Sequence, residues 1–131
     1  MKKLIVGFLF LMLLSCVNRV ANLNGDWQQI FLGYEGENNI EGYVTDSAII
    51  HLNLFKNQKI EFDYRDGFDN DLADSIFFKY PQLNFRKLNY NQKYNRFSMN
   101  YDQTCDCFNG LFKSHNGNRV KVKWVRRVLD N

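Results

Sequence analysis

A single proline, Pro81, two histidines and three cysteines are all that 131 residues hold of those three types. Each scarcity removes a class of function. His51 and His115 stand at no metal-motif spacing from any cysteine, whereas a structural metal needs about four ligands. No apolar run reaches the about 20 residues that a membrane-spanning helix requires. A glycine-rich phosphate loop, a nucleophile elbow, a zinc-protease helix and an ordered Ser/His/Asp set are all missing. Catalysis is therefore not expected, and neither is a resident metal or cofactor. What is present in quantity is aromatic: 12 Phe and 7 Tyr, with asparagine scattered throughout. That composition belongs to a β-rich domain with many tight turns, not to a disordered tail.

The first segment has its own logic. Met1-Lys2-Lys3 precedes an apolar run from Leu4 to Leu14, which ends in Ser15-Cys16. A basic start, an apolar stretch of roughly 7–15 residues and a small residue before the cut form an export signal. Leu13-Leu14-Ser15-Cys16 resembles the lipobox of bacterial lipoproteins. That resemblance implies removal of residues 1–15 and acylation (palmitate among the chains) of Cys16. Two or more acyl chains anchor a protein stably without spanning the bilayer. Val17 stands where an inner-membrane retention Asp would be, and Val17, Asn18, Arg19 and Val20 form no acidic cluster. The same resemblance then implies an outer-membrane lipoprotein of a Gram-negative envelope, facing the periplasm.

The chain carries 17 basic and 14 acidic residues, and losing Lys2 and Lys3 leaves the mature domain at a formal +1. Nothing in that balance calls for nucleic acid. Residues 16–24 read as the lipidated cysteine and a tether, and 25–131 as one domain.

That domain alternates short β-branched and aromatic runs with turn residues. Strands are expected over 26–34, 40–45, 48–55, 59–65, 76–80, 85–90, 94–101, 107–114 and 119–127. Ile50, Leu52 and Leu54 share a face opposite His51 and Asn53, and Ile60, Phe62 and Tyr64 alternate with Glu61, Asp63 and Arg65. Period two on both arms of a short polar loop is a hairpin signal. Asn116-Gly117 marks the last hairpin, because both positions tolerate positive φ. The stretch from Phe68 to Ser75 reads as an acidic turn with at most one helical turn. About eight or nine short strands in hairpin order predict a small antiparallel up-and-down β-barrel, with a β-sandwich as the alternative. Closure would also remove exposed sheet edges.

Leu23-Asn24-Gly25-Asp26-Trp27 opens the first strand. Its Gly-x-Trp phrase resembles the signature of lipocalins and related calycins, and small envelope lipoproteins often begin this way. The resemblance implies a minimal lipocalin-like barrel in which Trp27 closes one end beneath an arginine of the last strand. Arg126 and Arg127 are the two candidates. A guanidinium over an indole gains about 0.5–2 kcal/mol.

Other residues invite chemistry. Cys105-Asp106-Cys107 reads first as a disulfide or inert thiols, since an oxidising compartment favours the bond; a one-residue gap would make that loop tight and readily reduced. A soft metal or redox site is the alternative, and requires both sulfurs to be reachable. Asp66, Asp69, Asn70, Asp71 and Asp74 have the donor chemistry for calcium but miss the loop pattern, so a solvated acidic loop at a barrel mouth is the expectation. Arg119, Lys121, Lys123, Arg126 and Arg127 read as the solvent side of a strand. Inward positions such as Ile50, Leu52, Phe62, Tyr64, Phe97 and Met99 are the candidate pocket, although a slip of one residue exchanges the faces. Two functions are thus expected: binding a small apolar or amphipathic ligand, or contact with a protein partner as a periplasmic inhibitor or assembly factor. A cavity of about 300 Å³ or more would favour the first, and an interior filled by side chains the second.

Overall fold

The computed structural model describes residues 23–35, 48–64, 70–89 and 91–127. The expected signal 1–15, Cys16, the tether to residue 22, the expected strand 40–45, and Asp66 and Asp69 lie outside the described residues.

Eight strands follow one another: β1 (Gly25–Tyr34), β2 (Ile49–Asn53), β3 (Lys59–Asp63), β4 (Asp71–Lys79), β5 (Gln82–Leu88), β6 (Tyr94–Asp102), β7 (Cys107–Lys113) and β8 (Arg119–Arg126). Each pairs antiparallel with the next, and β8 returns to β1 to close a barrel. Closure excludes the sandwich.

The β2–β3 hairpin shows why the sequence folds this way. Ile50 sits opposite Phe62 and Leu52 opposite Ile60. All four are buried, while His51 and its partner Glu61 take the outer face. The same alternation places Val122 and Trp124 of β8 inside the barrel. Between β6 and β7 the backbones lie so close that only glycine fits at Gly110. A Cβ there would stand 2.1 Å from the Ser98 carbonyl oxygen and 2.7 Å from Met99 Sδ.

One element corrects the sequence reading. Asp71 to Ser75 is the first half of β4, not an acidic turn. Ser75 takes φ 51°, and the register against β5 shifts between Asp74 and Phe77. This bulge hides the period: Asp71 and Ala73 point inward before it, and Ile76 and Phe78 after it. An inserted residue of this kind re-aims a strand without ending it. Strand β5 likewise begins at Gln82, directly after the Tyr80-Pro81 turn, three residues earlier than expected. Among the described residues the seam between β3 and β4 is short, paired through Glu61↔Leu72 and Phe62↔Asp71.

A column of rings fills the interior. From Trp27 at one end it passes to Phe108 (5.0 Å between ring centres), Trp124 (5.6 Å), Phe85 (5.7 Å) and Phe97 (4.6 Å), then Phe112 (5.2 Å) and Phe31 (5.7 Å). Phe62 joins the column from the side, against Phe85, Phe97 and Trp124. The one polar atom of Trp124 is satisfied inside: its Nε1 donates to Gln29 Oε1 at 3.0 Å. Each buried side chain of this size contributes about 1.5–3 kcal/mol through water removed from its surface.

Candidate functional site

The end of the barrel where β1 begins is closed, and Trp27 is its floor. Gly25 enters β1 at φ 132°, a conformation open to glycine. Trp27 is fully buried. Its Nε1 donates to the Leu23 carbonyl at 3.0 Å, which pins the incoming chain beneath the barrel. Arg126 of β8, directly opposite in register, lays its guanidinium 4.3 Å from the indole centre. Arg127 has another job: its backbone N–H donates to the Asp26 carbonyl at 3.0 Å, extending the β1–β8 pairing past the end of β8. Of the two candidates, Arg126 is the one over the tryptophan.

Arg126 is itself held. Its Nε donates to Asp106 Oδ2 at 2.8 Å and its Nη2 to Oδ1 at 3.1 Å. The Tyr101 hydroxyl donates to the same carboxylate at 2.6 Å. Arg126 first and Tyr101 second hold the Asp106 carboxyl below the usual carboxylate range. Burial, aided by Asp106, pushes the Tyr101 hydroxyl up to about 12. Asp106 lies between the two half-cystines, for Cys105 and Cys107 form a disulfide across the β6–β7 turn. Cys105 is exposed and Cys107 buried. The soft metal or redox alternative was expected to need both sulfurs reachable, and Cys107 is not. A shared metal is thereby excluded, whereas disulfide exchange needs one sulfur open to attack, and Cys105 is.

At the opposite end of the barrel the structure assembles a group that the sequence did not announce. Lys87 of β5 points inward and is 7% exposed. Its Nζ lies 2.9 Å from Asp71 Oδ2, 5.2 Å from the Phe62 ring centre and 5.1 Å from that of Tyr64. Asn95, its cross-strand neighbour on β6, also points inward, and its buried Oδ1 accepts no hydrogen bond. A buried ammonium needs a paired charge or aromatic faces to offset lost hydration, and Lys87 has both. The signal was present, since Lys87 stands two residues from the inward Phe85, but its carboxylate partner lay in the stretch read as a turn.

The six candidate pocket residues all point inward. Ile50, Leu52, Phe62, Phe97 and Met99 are buried in the core, and Tyr64 packs against its rim. They touch one another and the ring column. Asp74 pairs with Arg86, and Arg119 with Glu35. No group of three or more metal-binding side chains occurs among the described residues.

On the outer wall, His51 bridges two carboxylates. Its Nδ1 is 2.6 Å from Asp26 Oδ1 and its Nε2 3.3 Å from Asp63 Oδ2. The hydrogen bond with Asp26, helped by Asp63 and opposed by desolvation, raises the imidazole above its ordinary value. A shallow recess of about 240 Å³ lies beside it, lined by Gly25, Asp26, Leu52 and Lys59 among others. With both ring nitrogens engaged, His51 acts as a clasp across β1, β2 and β3 and not as a general base.

No family model, no curated protein and no solved structure matches this chain.

Proposed function

We propose that this chain is an envelope-anchored lipoprotein whose lipocalin-like barrel is a protein-binding module with a solid core. The anchor rests on Leu13-Leu14-Ser15-Cys16 and the signal before it. The lipocalin-like assignment is supported by next-neighbour closure of eight strands and by Arg126 stacked over the Trp27 of Gly-x-Trp. The observation that carries the binding role is the ring column from Trp27 to Phe31, because it occupies the space a carried ligand would need. The side chains left for recognition face outward. Leu72 and Phe77 on β4 are each 57% exposed, and Tyr94 on β6 is stacked under Arg86 at 4.0 Å. Exposed aromatic and arginine side chains of this kind are favoured at protein contacts.

A second reading has one specific observation in its favour. Lys87 and the unpartnered Asn95 Oδ1, at the end of the barrel opposite Trp27, are polar groups suited to the head of a small amphipathic molecule. Native mass spectrometry of the chain purified from an envelope extract separates the two. The bare mass is expected. An added mass that disappears on denaturation would overturn the solid-core reading and transfer the function to the Lys87 end.

A further inference from the structure

Neither the barrel nor the proposed binding role uses the Cys105–Cys107 bond. A disulfide stabilises chiefly by restricting the unfolded chain, and more so for long loops. This one encloses a single residue. The turn is also held by other means. The Thr104 N–H donates to Asp102 Oδ1 at 2.9 Å, and the Asp106 carboxylate is fixed by Arg126 and Tyr101. The sulfurs, moreover, are unequal. Cys105 is open to solvent, whereas Cys107 is 1% exposed and its Sγ accepts a hydrogen bond from Asn109 Nδ2 at 3.5 Å. Lys123, paired with Asn109 across the β7–β8 seam, adds positive charge on the same face.

We infer that Cys105–Cys107 is a thiol–disulfide exchange site that takes two electrons from an external dithiol. An incoming thiolate attacks Cys105 Sγ, the reachable sulfur. The bond to Cys107 breaks, and its electron pair leaves on Cys107 Sγ as a thiolate. The Asn109 amide is already in place to donate to that charge, and a stabilised leaving thiolate speeds exchange. The chain and the substrate are then joined by a mixed disulfide at Cys105. The second substrate thiolate attacks its own partner sulfur in that bond, expelling Cys105 as a thiolate. Both cysteines take protons from solvent. The substrate ends as a disulfide, oxidised by two electrons, and the chain ends as a dithiol, reduced by two. The substrate class is a reduced cysteine pair, in a polypeptide or in a small molecule.

The test uses the full chain under native conditions. It is mixed with dithiothreitol in one arm and with a peptide carrying two reduced cysteines in the other. Samples are acid-quenched, alkylated and mapped by mass. The bond is expected to open while the fluorescence of Trp27 and Trp124 stays native, with one peptide disulfide formed for each chain reduced. Faster exchange with the peptide assigns a polypeptide substrate, and faster exchange with dithiothreitol a small one. Offered glutathione disulfide, Cys107→Ser should form a mixed disulfide at Cys105, the Cys105 thiolate attacking one sulfur and one glutathione leaving as a thiol. Cys105→Ser, which leaves only the buried sulfur, should trap about tenfold less. Opening only in denaturant, or equal trapping by the two variants, would overturn the inference. The wild-type arms decide the matter even where a variant fails to fold.

Discussion

Replacing Trp27 by alanine removes the floor of the barrel, and the structure sets the size of the loss. A fully buried Trp or Phe cut to alanine costs about 3–5 kcal/mol through lost transfer energy and the cavity left behind. Two parts of that figure are separable here. The bond from Nε1 to the Leu23 carbonyl contributes about 1 kcal/mol. The stacking of Arg126, whose side chain is 31% exposed, contributes about 0.5–1 kcal/mol. Trp27→Phe should therefore cost roughly 1–2 kcal/mol, since it keeps a ring and loses the donor. Trp27→Ala should cost about 4 kcal/mol, a large share of the about 5–15 kcal/mol a domain possesses. Urea unfolding read from Trp124, which the variants retain, measures both. At a denaturant slope of about 2 kcal/mol/M the alanine midpoint falls by roughly 2 M. A double-mutant cycle with Arg126→Ala isolates the stacking. A Trp27→Ala loss below about 1 kcal/mol would refute the floor role and with it the chief support for a lipocalin-like barrel.

Gly110→Ala drives a methyl into the Ser98 carbonyl, so a loss near the upper end of the about 1–3 kcal/mol overpacking range is expected in the same urea assay. Lys87→Met removes one half of an ion pair whose other half, Asp71, stays 39% exposed; thermal unfolding should show little change, because the remaining carboxylate keeps its water and is not left a buried unpaired charge. A marked loss would instead make the ammonium part of the scaffold. The raised pKa of His51 means that its clasp is fully present below the ordinary imidazole value and is lost as pH rises through the raised one. His51→Gln should thus be less stable than the parent at about pH 5, with the gap closed by about pH 9. The lowered pKa of Asp106 has the opposite sign: Asp106→Asn should cost about 1 kcal/mol at neutral pH, and the gap should shrink as acid protonates the parent's carboxylate. A cost unchanged by acid would disconnect the carboxylate charge from the hold on Arg126.

How much was legible depended on whether the period survived. In β2, β3 and β8 an unbroken alternation identified Ile50, Phe62 and Trp124 as inward. Trp27 and Arg126 could be matched because each stands at the start or end of a strand, where register is short. Strand β4 could not be read, because the bulge at Ser75 moves the inward set from Asp71 and Ala73 to Ile76 and Phe78, which looks like a turn in one dimension. That miss concealed a second. Lys87 on an inward face is intelligible only with a carboxylate beside it, and Asp71 had been assigned to a loop. The inequality of Cys105 and Cys107 has no sequence signal, since it depends on Cys107 lying inside the sheet, paired with Asp102 and Val125, while Cys105 lies in the turn.

The hydrogen bond from Trp27 to Leu23 also sets an orientation. For a chain anchored at Cys16, six residues, seven Cα–Cα steps, separate the anchored cysteine from a leucine fixed beneath the floor. Fully extended, they reach at most about 25 Å. The barrel is then moored by its closed end on a short line. Its opposite end, with Lys87 and Asn95, would then point away from the membrane. With that anchor, the Cys105–Cys107 turn, at the same end as Leu23, would face the membrane, and the thiols most readily presented to it would be those of proteins lying on or emerging from it.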